Sequence, residues 1–240
     1  MAVREIVYKE RVFPLSYNIV NPQAKESIAI LHGWGSNKEI MQQAFASKFQ
    51  KLKQIYIDMP GFGQSKNEDT ILTTQDYANI LALFFKEIKQ EPSIIAGHSF
   101  GGKVATLLQP QYLVLLSSAG ILVPKPFKVK AKIALFKLLK PFGIAKFRKL
   151  FVSDDAKQMN QAMYETFKNV VDEDFSQKFS TFPNKALLFW GKEDTATPLW
   201  TGEKIHSLIK NSKLYPLEGD HYFFLQNSNF IAKTIESECL

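Results

Sequence analysis

A serine stands among glycines in "AGHSFGG" (Ala96–Gly102), with the apolar run "PSII" before it and the helix-like run "KVATLLQ" after it. The pattern Gly-x-Ser-x-Gly between a strand and a helix bends the chain sharply and lifts the serine toward solvent, while its small residues let helix and strand pack closely. Ser99 is therefore the candidate nucleophile. Its neighbour Phe100 would bring a backbone N–H to the helix N-terminus, where free amides and the helix dipole favour negative charge. A serine hydroxyl attacks a carbonyl only when a base takes its proton. The pattern thus requires a histidine elsewhere, and that histidine requires an acid to orient it.

Four histidines are available. His32 lies in "LHGWG" at a strand end, His98 adjoins Ser99 but should point away from it, and His206 lies inside the helical run "TGEKIHSLI" as a surface or packing residue. His221, in "LEGDHYFF", follows the last strand and falls at the same sheet edge as Ser99, so it is the candidate base. Asp194, in "WGKEDTATP", follows another strand and falls at that edge too. Its neighbour Glu193, and Asp220 beside His221, are alternative acids; Asp194 is preferred because sequence neighbours seldom face each other and because it gives the order Ser, Asp, His. "HGWG" would place the backbone N–H of Trp34 in a glycine-flanked turn, as a second donor beside Phe100 for the oxyanion of a tetrahedral intermediate.

These residues need a sheet whose strand ends meet along one edge. Strand-like and helical runs alternate over most of the chain, the pattern of an α/β fold with a mainly parallel sheet covered on both faces. "EIVYK" and "LSYNIV" read as an antiparallel pair; "SIAILHG", "QIYIDM", "SIIAG", "YLVLLSS", "KALLFWG" and "SKLYPL" complete about eight strands. The spacing of Ser36 and Glu39 suits a capping box for a helix from about Lys38 to Leu52, and Thr73 with Asp76 one for a helix from Thr73 to Ile88. Thr197 before Pro198 suits a helix cap and first turn. From Gly120 to Phe182 the alternation breaks into helical stretches cut by Pro124, Pro126, Pro141 and Gly143. We expect a helical cap over 120–182 inserted into a core of 1–119 and 183–240.

"LHGWG", "DMPGFGQS", "GHSFGG", "WGKEDTATP" and "GDH" occur in the order seen in the α/β-hydrolase superfamily, which the chain resembles over nearly its whole length. The resemblance implies Ser99 as nucleophile, His221 as base, Asp194 as acid, the Trp34 and Phe100 amides as oxyanion hole, and a structural role for Asp58–Ser65 at the rim. Serine at position 99 is unlike the dehalogenases and epoxide hydrolases of this fold, which use aspartate. The nearest likeness is to small capped carboxylesterases and to hydrolases of meta-cleavage products such as 2-hydroxy-6-oxo-dienoates. The elbow of the second group reads Gly-Asn-Ser-Met-Gly where His98 and Phe100 stand here, so ester or thioester hydrolysis is favoured over carbon–carbon cleavage. A noncatalytic ligand-binding protein on the same fold is the rival from another class. The expected substrate is a small acyl compound, with anionic and carrier-linked esters among the candidates, and the reaction calls for no metal or organic cofactor.

At 240 residues, 45% of them apolar and 22% charged, the chain is long enough for one large domain with its own core. The net charge of +7 is local: residues 125–149 hold nine Lys or Arg and no acid, so removing them leaves about −2. The lysines between 128 and 140 do not gather on one helical side, which argues against a membrane-surface helix, and no nucleic-acid motif accompanies them. The start lacks a secretory pattern and the apolar runs are too short to span a bilayer, so a cytoplasmic protein is expected. The single cysteine, Cys239, excludes a cysteine metal site and is read as incidental.

Overall fold

The computed structural model describes residues 1–124 and 159–240. The basic segment 125–149 and much of the expected cap lie outside the described residues. Eight strands form one sheet: β1 (Ala2–Tyr8), β2 (Arg11–Val20), β3 (Ser27–Leu31), β4 (Lys53–Ile57), β5 (Ile94–His98), β6 (Tyr112–Leu116), β7 (Lys185–Gly191) and β8 (Ser212–Leu217). Their spatial order is β1-β2-β4-β3-β5-β6-β7-β8. β1 and β2 pair antiparallel, as do β2 and β4, and every later pairing is parallel. The helices are α1 (Lys38–Phe45), α2 (Thr74–Glu87), α3 (Phe100–Leu107), α4 (Gln161–Val171), α5 (Ser176–Ser180), α6 (Leu199–Leu208) and α7 (Phe224–Cys239). None of these is long and apolar enough to cross a membrane.

Parallel strands with both faces covered must be apolar on both, and β3 and β5 are buried at every residue. Successive residues serve opposite faces. On β6, Leu113 and Leu115 join one core with α2, α3 and α6, while Val114 and Leu116 join a second core with α1 and α7. The same split runs along β7, where Ala186, Leu188 and Trp190 face the first core and Leu187 and Phe189 the second. These two apolar layers hold the sheet rigid while its carboxyl edge stays open for loops.

Local signals set the helix ends, with three corrections to the sequence reading. Thr73 caps α2 in a reciprocal capping box with Asp76, as its spacing predicts. For α1 the cap is Asn37 rather than Ser36: the Asn37 side chain accepts from the N–H groups of Glu39 and Ile40. α1 also ends at Phe45, short of Leu52, because the Lys48 N–H turns back to the Phe45 carbonyl. Phe49 and Leu52 are nonetheless buried in the α1 core, which keeps an apolar spacing past the helix end. Thr197 is no helix cap, since α6 starts behind Pro198 without a side-chain cap bond.

Candidate active site

The parallel register aligns Leu31 with Gly97, His98 with Leu116, Leu116 with Phe189, and Gly191 with Leu217. Chain leaving β3, β5, β6, β7 and β8 therefore emerges along one edge, and Trp34, Ser99, Asp194 and His221 all lie in those exits. Ser99 sits between β5 and α3 at φ 51° and ψ −115°, a backbone that a side chain rarely adopts. Contacts around it hold this bend. The Ser99 N–H donates to Leu116 O at 3.2 Å, and the Ser99 carbonyl accepts from Gly102 at 3.1 Å and Ala119 at 3.0 Å. Gly97 permits the close approach of α3 to β5: a Cβ there would lie 2.2 Å from the Gly101 carbonyl oxygen. α3 is only eight residues long, in keeping with the short run between elbow and next strand.

Asp194 is buried, and its carboxylate meets four donors. Oδ1 accepts the N–H of Ala196 at 2.8 Å and of Thr197 at 2.9 Å; Oδ2 accepts from Thr197 Oγ1 at 2.9 Å and from His221 Nδ1 at 2.7 Å. Burial alone would raise its pKa, but the His221 and Thr197 hydrogen bonds outweigh that and hold it below the ordinary aspartate value. A carboxylate only accepts, so the His221 proton sits on Nδ1 and the Nε2 lone pair is free. Ser99 Oγ and His221 make no direct hydrogen bond in this structure. Of the alternative acids, Glu193 accepts from the Gly219 N–H and Asp220 from the Tyr222 N–H; neither touches the His221 ring.

The turn "HGWG" lies beside the elbow. Trp34 packs edge-on against Phe62 and Phe100, with ring centroids 4.8 and 5.4 Å away. Its amide donates to no backbone carbonyl among the described residues, and the Phe100 amide opens α3, where no preceding turn offers a carbonyl. Both predicted donors thus stand on the exits that flank Ser99. The turn is braced from behind. Buried His32 donates from Nδ1 to Gly33 O at 2.7 Å and accepts at Nε2 from the Met59 N–H at 3.0 Å. Desolvation pushes its pKa down to about 4, so it serves as a neutral bracket. Lys38 Nζ meets Asp58 Oδ2 at 2.6 Å with neither side chain exposed, and Asp58 also accepts the N–H groups of Lys38 and Gln64.

Three contacts lay beyond sequence reasoning. Thr197 completes the Asp194 shell, and its Oγ1 also lies 3.1 Å from Ser117 O; the carboxylate bonds to the N–H groups two and three residues on form an Asx-type turn whose signal was the spacing from Asp194 to Thr197. The Lys38–Asp58 pair and the contact between His98 and His221 join residues distant in sequence, and no local pattern announces either. His206 is exposed and bonds Ser212, as expected of a surface residue. Cys239 is buried, which raises its thiol pKa to about 11 and leaves it unreactive at neutral pH.

The strand order, the elbow bend and the edge that gathers these loops define an α/β hydrolase, and the chain belongs to the alpha/beta hydrolase family, whose model matches residues 28–233. Among its relatives, the uncharacterized hydrolase YugF of Bacillus subtilis is 27% identical over 228 residues, 82% of this chain and 83% of that one. An esterase from Exiguobacterium antarcticum superposes with a TM-score of 0.75 at 19% identity, covering 98% of both chains. A meta-cleavage product hydrolase from Pseudomonas fluorescens superposes with a TM-score of 0.70 at 17% identity, covering 98% of this chain and 96% of that one. At such identities the two superpositions speak for the fold.

Proposed function

We propose that the protein is a serine hydrolase that cleaves carboxylic esters or thioesters of small acyl compounds through an acyl-enzyme. The observation that carries this reading is the Asp194–His221 hydrogen bond at 2.7 Å on the same sheet edge as Ser99 at its φ of 51°. A binding protein would have no use for a buried carboxylate that orients a histidine on the sheet edge where the half-buried Ser99 stands. Ser99 Oγ attacks the substrate carbonyl carbon as its proton passes to His221 Nε2. Asp194 stabilises the imidazolium. The Trp34 and Phe100 amides receive the oxyanion, each such donor contributing roughly 10²–10³ in rate.

Collapse of the tetrahedral intermediate breaks the bond to the leaving group, which takes the proton from His221. A water then gives its proton to the same Nε2 and attacks the acyl carbon. This second collapse releases the acid and restores Ser99. The test is turnover of short p-nitrophenyl esters and labelling by a fluorophosphonate probe, before and after Ser99→Ala. Loss of both is expected; turnover that survives the substitution refutes the serine mechanism. Adding thioesters and a dienoate to the substrate panel separates ester chemistry from carbon–carbon hydrolysis.

A further inference from the structure

His98 closes β5 and is 1% exposed. Its Nε2 lies 2.9 Å from the backbone carbonyl oxygen of His221, 123 residues further on. Because a carbonyl only accepts, Nε2 carries the ring proton and Nδ1 is left as a bare lone pair. Nδ1 is buried with no hydrogen-bond partner among the described residues. It faces Gly33, where a Cβ would come within 2.9 Å of it. The ring also packs 4.5 Å from that of His221 and 4.9 Å from that of Phe224. Desolvation, with the neighbouring His221 as a second cause, pushes the His98 pKa down to about 3, so the ring stays neutral wherever the enzyme would work.

One side chain thus adjoins Ser99 in the chain, donates to the backbone of His221, and underlies the turn that carries Trp34. Asp194 orients the His221 ring from the side. The other bonds of the His221 loop run within it, Tyr222 N–H to Asp220 Oδ1 and Phe223 N–H to Asp220 O, or to the β7 exit, where Gly219 donates to Glu193 Oε2 and accepts from the Glu193 N–H; these shape the loop without tying it to the elbow. Nor does a bond between Ser99 Oγ and His221 set their spacing. We propose that His98, through its Nε2 contact to the His221 carbonyl, is a positioning residue that sets the register of the His221 loop against the Ser99 elbow. The inference rests on the reading of Ser99, Asp194 and His221 as a triad.

Two variants separate the hydrogen bond from mere filling of space. In His98→Gln the side-chain amide nitrogen is as many bonds from Cβ as Nε2 is in histidine, so it can donate to the same carbonyl, whereas His98→Leu fills volume without a donor. Because an error of about 1 Å in placement costs on the order of 10²-fold, His98→Leu should lower kcat on p-nitrophenyl acetate by about 10–100-fold. KM should stay within about two-fold, and His98→Gln should recover to within about three-fold of the unaltered enzyme. Equal kcat in the two folded variants overturns the proposal. A measurement on the unaltered protein needs no variant to fold: long-range ¹⁵N NMR of its histidines should show His98 as the Nε2–H tautomer, without titration from about pH 5 to 9. An Nδ1–H tautomer, or a His98 that titrates in that range, also overturns it. Ser99→Ala run alongside tells the two readings apart. If Ser99→Ala abolishes turnover while the His98 variants are alike, the positioning role fails alone; if Ser99→Ala stays active, the triad reading fails and the positioning role with it.

Discussion

Asp194→Asn is a near-isosteric change whose effect follows from the four donors around the carboxylate. Oδ1 faces two backbone N–H groups, so the asparagine must keep its carbonyl oxygen there, and its NH₂ takes the place of Oδ2. That position faces His221 Nδ1 at 2.7 Å and Thr197 Oγ1 at 2.9 Å. Thr197 can reverse its role and accept, since Ser117 O remains available to its proton. The ring of His221 has no such freedom without changing tautomer: an NH₂ donor forces Nδ1 to accept, which moves the proton to Nε2 and removes the lone pair needed to deprotonate Ser99. In a serine protease this tautomer error lowers kcat by about 10⁴-fold with the geometry intact. The same loss here corresponds to roughly 5.4 kcal/mol of activation free energy. The fold should suffer much less, because the two backbone bonds survive; a loss of about 1–2 kcal/mol lowers Tm by about 2–8 °C. Steady-state hydrolysis of p-nitrophenyl acetate and a thermal melt read the two effects separately. A folded Asp194→Asn that keeps kcat within about ten-fold of the unaltered enzyme would refute the assignment of the acid and reopen Glu193 and Asp220.

Three further outcomes are expected. Lys38→Met leaves the Asp58 carboxylate buried without its cation and should cost about 3–5 kcal/mol in urea unfolding; a loss below about 1 kcal/mol would mean the pair is dispensable. Gly97→Ala brings a methyl to 2.2 Å from the Gly101 carbonyl oxygen, so α3 must lift from β5, and soluble protein with unaltered fluorophosphonate labelling would contradict that packing. Asp76 accepts from Tyr8, Lys9 and Thr73, and although burial opposes ionisation these bonds depress its pKa to about 2. A depressed carboxylate stabilises the fold fully above its unfolded pKa of about 3.9 and loses that contribution as pH falls through about 2. The stability gap between the unaltered protein and Asp76→Asn should therefore shrink by roughly 2 kcal/mol between about pH 5 and pH 2, and a gap constant over that range would show that the shift is absent.

What could be seen in the sequence was whatever repeats at short range. The eight strands announce themselves as apolar runs, and the parallel order makes every strand exit a candidate position, which is how Ser99, Asp194 and His221 could be picked from one chain. α2 was legible because Thr73 and Asp76 form a complete capping box. For α1 the start at Lys38 was legible, but its capping residue and its far end were misjudged, for reasons that are equally local. Ser36 and Asn37 are both good caps, and only the backbone decides that Asn37 reaches the Glu39 and Ile40 amides. At the far end, Phe49 and Leu52 keep an apolar spacing after the helix has stopped, so periodicity alone overruns the boundary. Thr197 was given to the following helix because Thr-Pro is a common cap, yet Asp194 and Ser117 compete successfully for its hydroxyl. His98 was expected to turn away from the serine; burial beneath the His221 backbone gives that orientation a purpose that no pattern within "GHSFG" contains.

The illegible part is also what makes the site a unit. "HGWGSNK" and "DMPGFGQS" are separate in the chain, and each alone reads as a turn. In the fold they are joined at two buried points, His32 to the Met59 amide and Lys38 to Asp58, directly behind the turn that presents Trp34. Gly63 is required for the second join, since a Cβ there would lie 2.3 Å from the Asp58 carboxyl carbon. A buried ion pair contributes little net stability compared with an apolar pair of similar volume. What Asp58 supplies instead is direction: its oxygens fix the Lys38 and Gln64 amides as well as the Lys38 ammonium, and so hold both loops in one arrangement. An oxyanion donor acts only if it is in place before charge develops. Under the proposed mechanism the glycine-rich loop after β4 serves the reaction by bracing the turn that carries the Trp34 amide.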